Sequence, residues 1–170
     1  MSRFGAWLGR MVEAVPSEEL QGAHLHGPFW EVGHRGVDPA EFFRKLPTLV
    51  PEGCILVLEG GSPSPQLKAF LEQNAVAPEV KVARGTVWPR EDLVHLPASA
   101  QVLSGIAEHA DRCASPEICT HLSVLAAGRV VIEWHDAFSA PCWISKELPE
   151  EGVKAFCAEL RTSFQSGAEA

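Results

Sequence analysis

The chain predicts an α+β domain, with helices packed on a mixed, largely antiparallel sheet; a small doubly wound α/β domain is the alternative. Three observations carry this. Helical and strand periodicities alternate along the first two thirds of the sequence. A hairpin followed by a terminal helix closes it. A composition of 46% hydrophobic and 21% charged residues is that of a chain able to build a core. At 170 residues there is room for one core of ordinary size, whereas two would each be marginal. We therefore expect a single domain over residues 1–165 and a frayed tail at 166–170 that has nothing to bury.

Taken in order, Phe4, Trp7, Leu8, Met11, Val12 and Val15 recur at three- and four-residue spacing, the pattern of an amphipathic helix. Gly5 and Arg10 interrupt that stretch and no cleavage site follows, so it reads as folded protein and not as a targeting segment. Residues 23–34 look extended, but Gly27-Pro28 breaks them, which fits an edge strand on which Trp30 is exposed. Asp38-Pro39-Ala40-Glu41 is a helix start: a capping carboxylate, a first-turn proline and a reciprocal glutamate. Pro47 should end that helix after about two turns.

Cys54-Ile55-Leu56-Val57-Leu58 is an unbroken apolar run bounded by turn residues, as expected for a strand buried on both faces near the centre of the sheet. After the turn Gly60-Gly61-Ser62, Ser64 and Pro65 open a helix carrying Leu67, Phe70 and Leu71 inward. Val80, Val82, Thr86 and Trp88 alternate as a strand, and Val102, Leu103, Ile106 and Ala110 mark a helix ending near Asp111.

Residues 119–135 read as a hairpin. A three-residue loop, Ala126-Ala127-Gly128, puts Val124 opposite Val130 and Leu122 opposite Ile132 on one apolar face. A two-residue Ala127-Gly128 turn would set Leu122 against Glu133 and mix the faces, which disfavours it. Cys142 to Ser145 adds a last strand, and a helix from Pro149 carries Val153, Phe156, Cys157, Leu160 and Phe164 at helical spacing.

Acids outnumber bases 22 to 14, giving a formal charge of -8, and Arg44-Lys45 is the only adjacent basic pair. Nucleic acid and anionic membranes, which need clustered cations, are disfavoured as partners; a basic protein is compatible. No apolar run approaches the roughly 18 residues of a membrane span. The five cysteines lack C-x-x-C spacing and are odd in number, so reduced thiols in the cytoplasm are the simplest expectation.

The hairpin register places Cys119, His121, Glu133 and His135 on the outward face, with Cys119 across from His135 and His121 across from Glu133. Imidazoles, a thiol and a carboxylate are donors that zinc accepts, so Cys119, His121 and His135 are the candidate metal ligands. With Glu133, the two histidines are the candidate catalytic groups of a metal-dependent or histidine-based hydrolase. His109 and Cys113, four apart on the preceding helix, could complete such a site. The competing reading is a solvated sheet face, because cross-strand polar pairs are ordinary there and no recognised zinc spacing is present. His24 and His26 share a strand face as a weaker metal pair, with Glu31 and His34 nearby, and His135-Asp136 can cooperate only if the strand has ended by Asp136. The Gly60-Gly61 turn, between strand and helix, is the position of an anion site, although it lacks the P-loop lysine and Pro63 and Pro65 remove two amides. The absence of any enzyme signature favours a non-catalytic intracellular binding protein (adaptor, inhibitor or neutralising partner) that uses an acidic surface. The hydrolase and a small anion-binding domain are the alternatives.

Overall fold

A computed structural model describes residues 22–86 and 91–167. The amphipathic stretch 4–15 and Trp88 lie outside them. The described residues form five helices on one seven-stranded sheet, an α+β fold. The strands are β1 (Phe29–Val32), β2 (Ile55–Glu59), β3 (Leu93–Pro97), β4 (His121–Ala126), β5 (Arg129–Trp134), β6 (Cys142–Ser145) and β7 (Phe164–Ser166). Their order is β3-β2-β4-β5-β6-β1-β7, and every neighbouring pair is antiparallel. The helices are α1 (Pro39–Leu49), α2 (Pro65–Asn74), α3 (Ala100–Ala110), the single turn α4 (Ser115–Ile118) and α5 (Glu150–Glu159).

Alternation along each strand sends one set of side chains under the helices. Leu56 and Leu58 of β2, Leu122 and Val124 of β4, and Ile132 and Trp134 of β5 are buried with Phe42, Phe43 and Leu46 of α1, Ile106 of α3 and Phe156 of α5. Side chains of this size each contribute about 1.5–3 kcal/mol by leaving water. The Phe42 ring is central: it meets Trp134 at 5.1 Å and Phe156 edge-on at 5.7 Å. The indole N–H of Trp134 donates to the Ala140 carbonyl at 2.6 Å, so its polar atom is satisfied inside the core.

Helix starts follow the sequence. Asp38, Ser64 and Ser99 each accept an amide of their helix's first turn, from Glu41, Leu67 and Val102. Pro47 does not end α1, which runs on to Leu49: a proline so near the terminus removes a single amide from the ladder. Nor is Glu41 a reciprocal cap, because its carboxylate takes Arg44 at 2.7 Å.

Three strand expectations change. Residues 80–86 do not form a strand; Val82 makes an isolated parallel bridge to Ala23, and the strand is Leu93–Pro97, which serves as one edge of the sheet. β1 is interior, because Phe164 lies in β7 and not in the last helix. Arg161 turns the chain with a φ of 54°, and β7 then pairs with β1. Trp30 is therefore half-buried, edge-on to Phe164 at 5.4 Å and beneath the Lys146 ammonium.

The opposite face of the sheet has no helix on it among the described residues. Residues 22–26 and 80–86 cross it, and Val82 packs with Val57, Leu125 and Val130 in a small second cluster. Among the described residues no helix is long and apolar enough to cross a membrane.

Candidate functional site

The helix-free face carries the polar residues. Strand alternation puts Glu59 of β2, His121 and Ser123 of β4 and Glu133 of β5 there, and His135 follows β5 on the same side. The hairpin reaches this arrangement by a different register from the one expected. Its loop is the two-residue turn Ala127-Gly128, with φ of 48° and 77°, the left-handed pair of a tight hairpin turn. A bulge then shifts the ladder: Leu125 pairs with Val130, but Val124 with Ile132 and Leu122 with Trp134. Val131, the extra residue, joins Ile132 on the core side, so the apolar face survives a turn that would otherwise have spoiled it. The consequence is that Ser123, not His121, lies opposite Glu133, and the His121 and His135 rings meet at 5.4 Å.

Four of the polar groups there, Glu59, His121, Glu133 and His135, have partners within the fold. Glu59 is only 4% exposed, and its two oxygens accept the amides of Gly85 at 2.8 Å and Thr86 at 3.0 Å. A Cβ on Gly85 would collide with the His121 ring, so glycine is needed for the close approach. The Asp136 amide donates to His121 Nδ1 at 3.1 Å, which leaves the proton on Nε2, 2.9 Å from the Thr86 hydroxyl. Glu133 takes His135 Nε2 at 3.0 Å on one oxygen and the Leu25 amide at 2.7 Å on the other. Together these bonds fasten residues 22–26 and 84–86 to the sheet.

The electrostatics agree. Burial disfavours the Glu133 carboxylate, but His135, the Leu25 amide and the nearby His24 outweigh it and hold its pKa below the ordinary value. His135 is raised, first by its hydrogen bond to Glu133 against the cost of burial, then by the charges of Glu133, Glu59 and Asp136. Asp136 adopts a φ of 47° after β5 has ended, so it adds charge near His135 without bonding to it.

Cys119 does not join this group. It caps α4 before β4 begins, is 1% exposed within the main core, and burial pushes its thiol up to about 12. Period-two alternation does not extend to it, because the chain there is leaving a helical turn. His109 and Cys113 also stay away: His109 packs on Phe70 at 5.6 Å, and Cys113 lies against the main core. His24 and His26 are exposed, with tilted rings 3.9 Å apart in a loop, not on a strand. Among the described residues no three His, Cys, Asp or Glu side chains are placed to hold a metal ion. The expected ligand set Cys119, His121 and His135 is thus not assembled.

A second region, at the end of β2, contrasts with this. A cavity of about 700 Å³ opens there, lined by Gly60, Gly61, Ser62, Glu72, Glu91 and Asp92 over an apolar floor that includes Leu71 and Ile118. It makes a poor anion cradle. The Gly60 amide is spent on the Asp92 carbonyl at 3.0 Å, that of Ser62 on Pro116 at 3.1 Å, and three carboxylates face one lysine, Lys68. Gly60, at a φ of 69°, also makes room for the Glu91 carboxylate, with which a Cβ would coincide. Glu91 Oε2 is buried and has no hydrogen-bond partner among the described residues. Sequence reasoning missed this acidic wall, since Glu72 and Glu91 meet only because α2 lies beside the edge strand β3. The adjacent pair Glu91-Asp92 was the available signal.

No protein-family model matches the chain, and no curated protein and no solved structure matches it either.

Proposed function

We propose that the chain is a non-catalytic binding protein whose acidic cavity at the end of β2 receives a basic side chain from a protein partner. The observation that carries this is the Glu91 carboxylate oxygen, buried in the cavity wall without a partner among the described residues. Leaving such a group unpaired costs about 1–3 kcal/mol, and more for a charge. An entering guanidinium offers five N–H donors and returns that cost on binding. The local balance has the same sign: among the described residues that line the cavity, Glu72, Glu91 and Asp92 stand against Lys68, which is 3.9 Å from Glu72. A basic protein is accordingly the partner class, and its association weakens with salt. The five cysteines form no disulfide, and this reading places the protein in the reducing cytoplasm.

The test is titration with a short arginine peptide and its citrulline counterpart, followed by amide chemical shifts. The arginine peptide should perturb Gly60, Gly61 and Glu91 and bind about tenfold more tightly than citrulline, a preference lost in Glu91→Gln. Equal binding of the two peptides, or an unchanged preference in Glu91→Gln, refutes the reading.

One observation favours a second reading, a metal-free histidine hydrolase: Glu133 orients His135 through Nε2, and that side chain is 42% exposed. With Nε2 committed, proton exchange falls to Nδ1. Hydrolysis of activated esters that His135→Asn abolishes supports this reading, and turnover equal in wild type and variant removes it.

A further inference from the structure

The outer side of β3 is met by Val76, whose amide donates to the His95 carbonyl at 2.8 Å. From there the chain arches over the helix-free face to Arg84, and the space between arch and strand is a cavity of about 550 Å³, within the ordinary range of small-molecule sites. We propose that this groove binds a small organic acid with an apolar body. Its carboxylate is held at Arg84, its body lies against Val76, Pro78, Val80, Val82 and Leu93, and a hydrogen-bonding substituent reaches Nε2 of His95.

His95 is the independent sign of a ligand. It is 8% exposed, its Nε2 is buried and has no partner among the described residues, and it lines both this groove and a smaller cavity of about 110 Å³ beyond Val80. Burial lowers its pKa and keeps the ring neutral near pH 7, so it exchanges hydrogen bonds and not charge. Around it the walls are mainly aliphatic, the combination of apolar lining and few polar groups that orients a ligand. The sign of the ligand's charge follows from the rim. Arg84 uses one N–H on the Glu91 carbonyl at 2.5 Å, which leaves further guanidinium donors at the rim. The opposing acid, Glu72, is already near Lys68. The groove shares Glu72, Leu93 and Val94 with the acidic cavity but presents the opposite charge, so the two sites take different ligands.

Three probes separate the parts of this inference: 4-hydroxyphenylacetate, phenylacetate without the hydroxyl, and tyramine with an amine in place of the carboxylate. With the full chain, followed by His95 ring resonances, 4-hydroxyphenylacetate should bind. Phenylacetate and tyramine should each bind about tenfold more weakly. His95→Phe keeps the ring volume and should equalise the two acids, while Arg84→Gln should weaken both. If Arg84→Gln fails to fold, the comparison of tyramine with the acids carries the charge test alone. The inference is overturned if no probe moves the His95 resonances, if tyramine binds as well as the acids, or if His95→Phe retains the preference for the hydroxyl. None of these outcomes bears on the arginine peptide or on Glu91→Gln.

Discussion

The hairpin face and the end of β2 are built from the same kinds of residue and put to opposite uses. On the hairpin face, Glu59 and Glu133 each engage both oxygens, and both ring nitrogens of His121 are occupied. At the end of β2, Glu91 holds a buried oxygen to which none of the described residues donates. A satisfied polar cluster is a fastening: it fixes where residues 22–26 and 84–86 lie and has little capacity left for a substrate. An unsatisfied one is a standing cost that a ligand removes. The difference lies in the backbone each carboxylate meets. Glu59 and Glu133 face free amides of crossing segments, whereas Glu91 faces Gly60, whose amide is already given to Asp92.

The largest test of this contrast is Glu59→Ala. It strands the amides of Gly85 and Thr86 and should cost about 3 kcal/mol, read as a lower denaturation midpoint at unchanged slope. A loss below about 0.5 kcal/mol, the scale of an ordinary surface substitution, would mean that this face does not fasten the crossing segments. Glu133→Gln, which weakens two bonds without emptying the site, should cost about 1–2 kcal/mol and raise amide exchange at Leu25.

Smaller effects come from pH. The folded pKa of His135 is raised, so its contribution is fully present below about pH 6.5 and is lost as pH rises through the raised value. That of Glu133 is lowered, so its contribution is present above the ordinary carboxylate range and is lost as pH falls through the lowered value. His95 is lowered by burial; the unfolded chain protonates first, and stability declines as pH falls below about 6.5. His135→Asn should therefore flatten the alkaline limb of the stability profile and His95→Phe the acid limb. The first effect stays under about 1 kcal/mol because His135 is 42% exposed. Flattening of the wrong limb by either variant would contradict these assignments.

Local rules carried the sequence reading well where chemistry is local. The caps at Asp38 and Ser64, the apolar run of β2 and the shared face of His121, Glu133 and His135 all follow from neighbours a few residues apart. That face survived an error in register because the ladder moved by two residues, a whole period of the strand. What failed was long-range or irregular. The bulge at Val131 made an apparently forbidden turn acceptable. A histidine and a proline disguised β3, and the spacing from Leu160 to Phe164 fits a helix although Arg161 turns the chain away. The groove at His95 and the acidic wall beside the Gly60-Gly61 turn went unread for a related reason: each is defined by segments that meet only once β3 is known to be the edge strand.

The most direct test is the thermal stability of Glu91→Gln beside that of Glu133→Gln. Both remove one charge from one carboxylate and keep its shape. We predict that Glu133→Gln lowers Tm by about 2–8 °C, as 1–2 kcal/mol does in a domain of this size, while Glu91→Gln leaves Tm unchanged or raises it. If Glu91→Gln is the more destabilising of the two, Glu91 is a structural residue with a partner of its own. The contrast between fastened and waiting carboxylates would then be wrong.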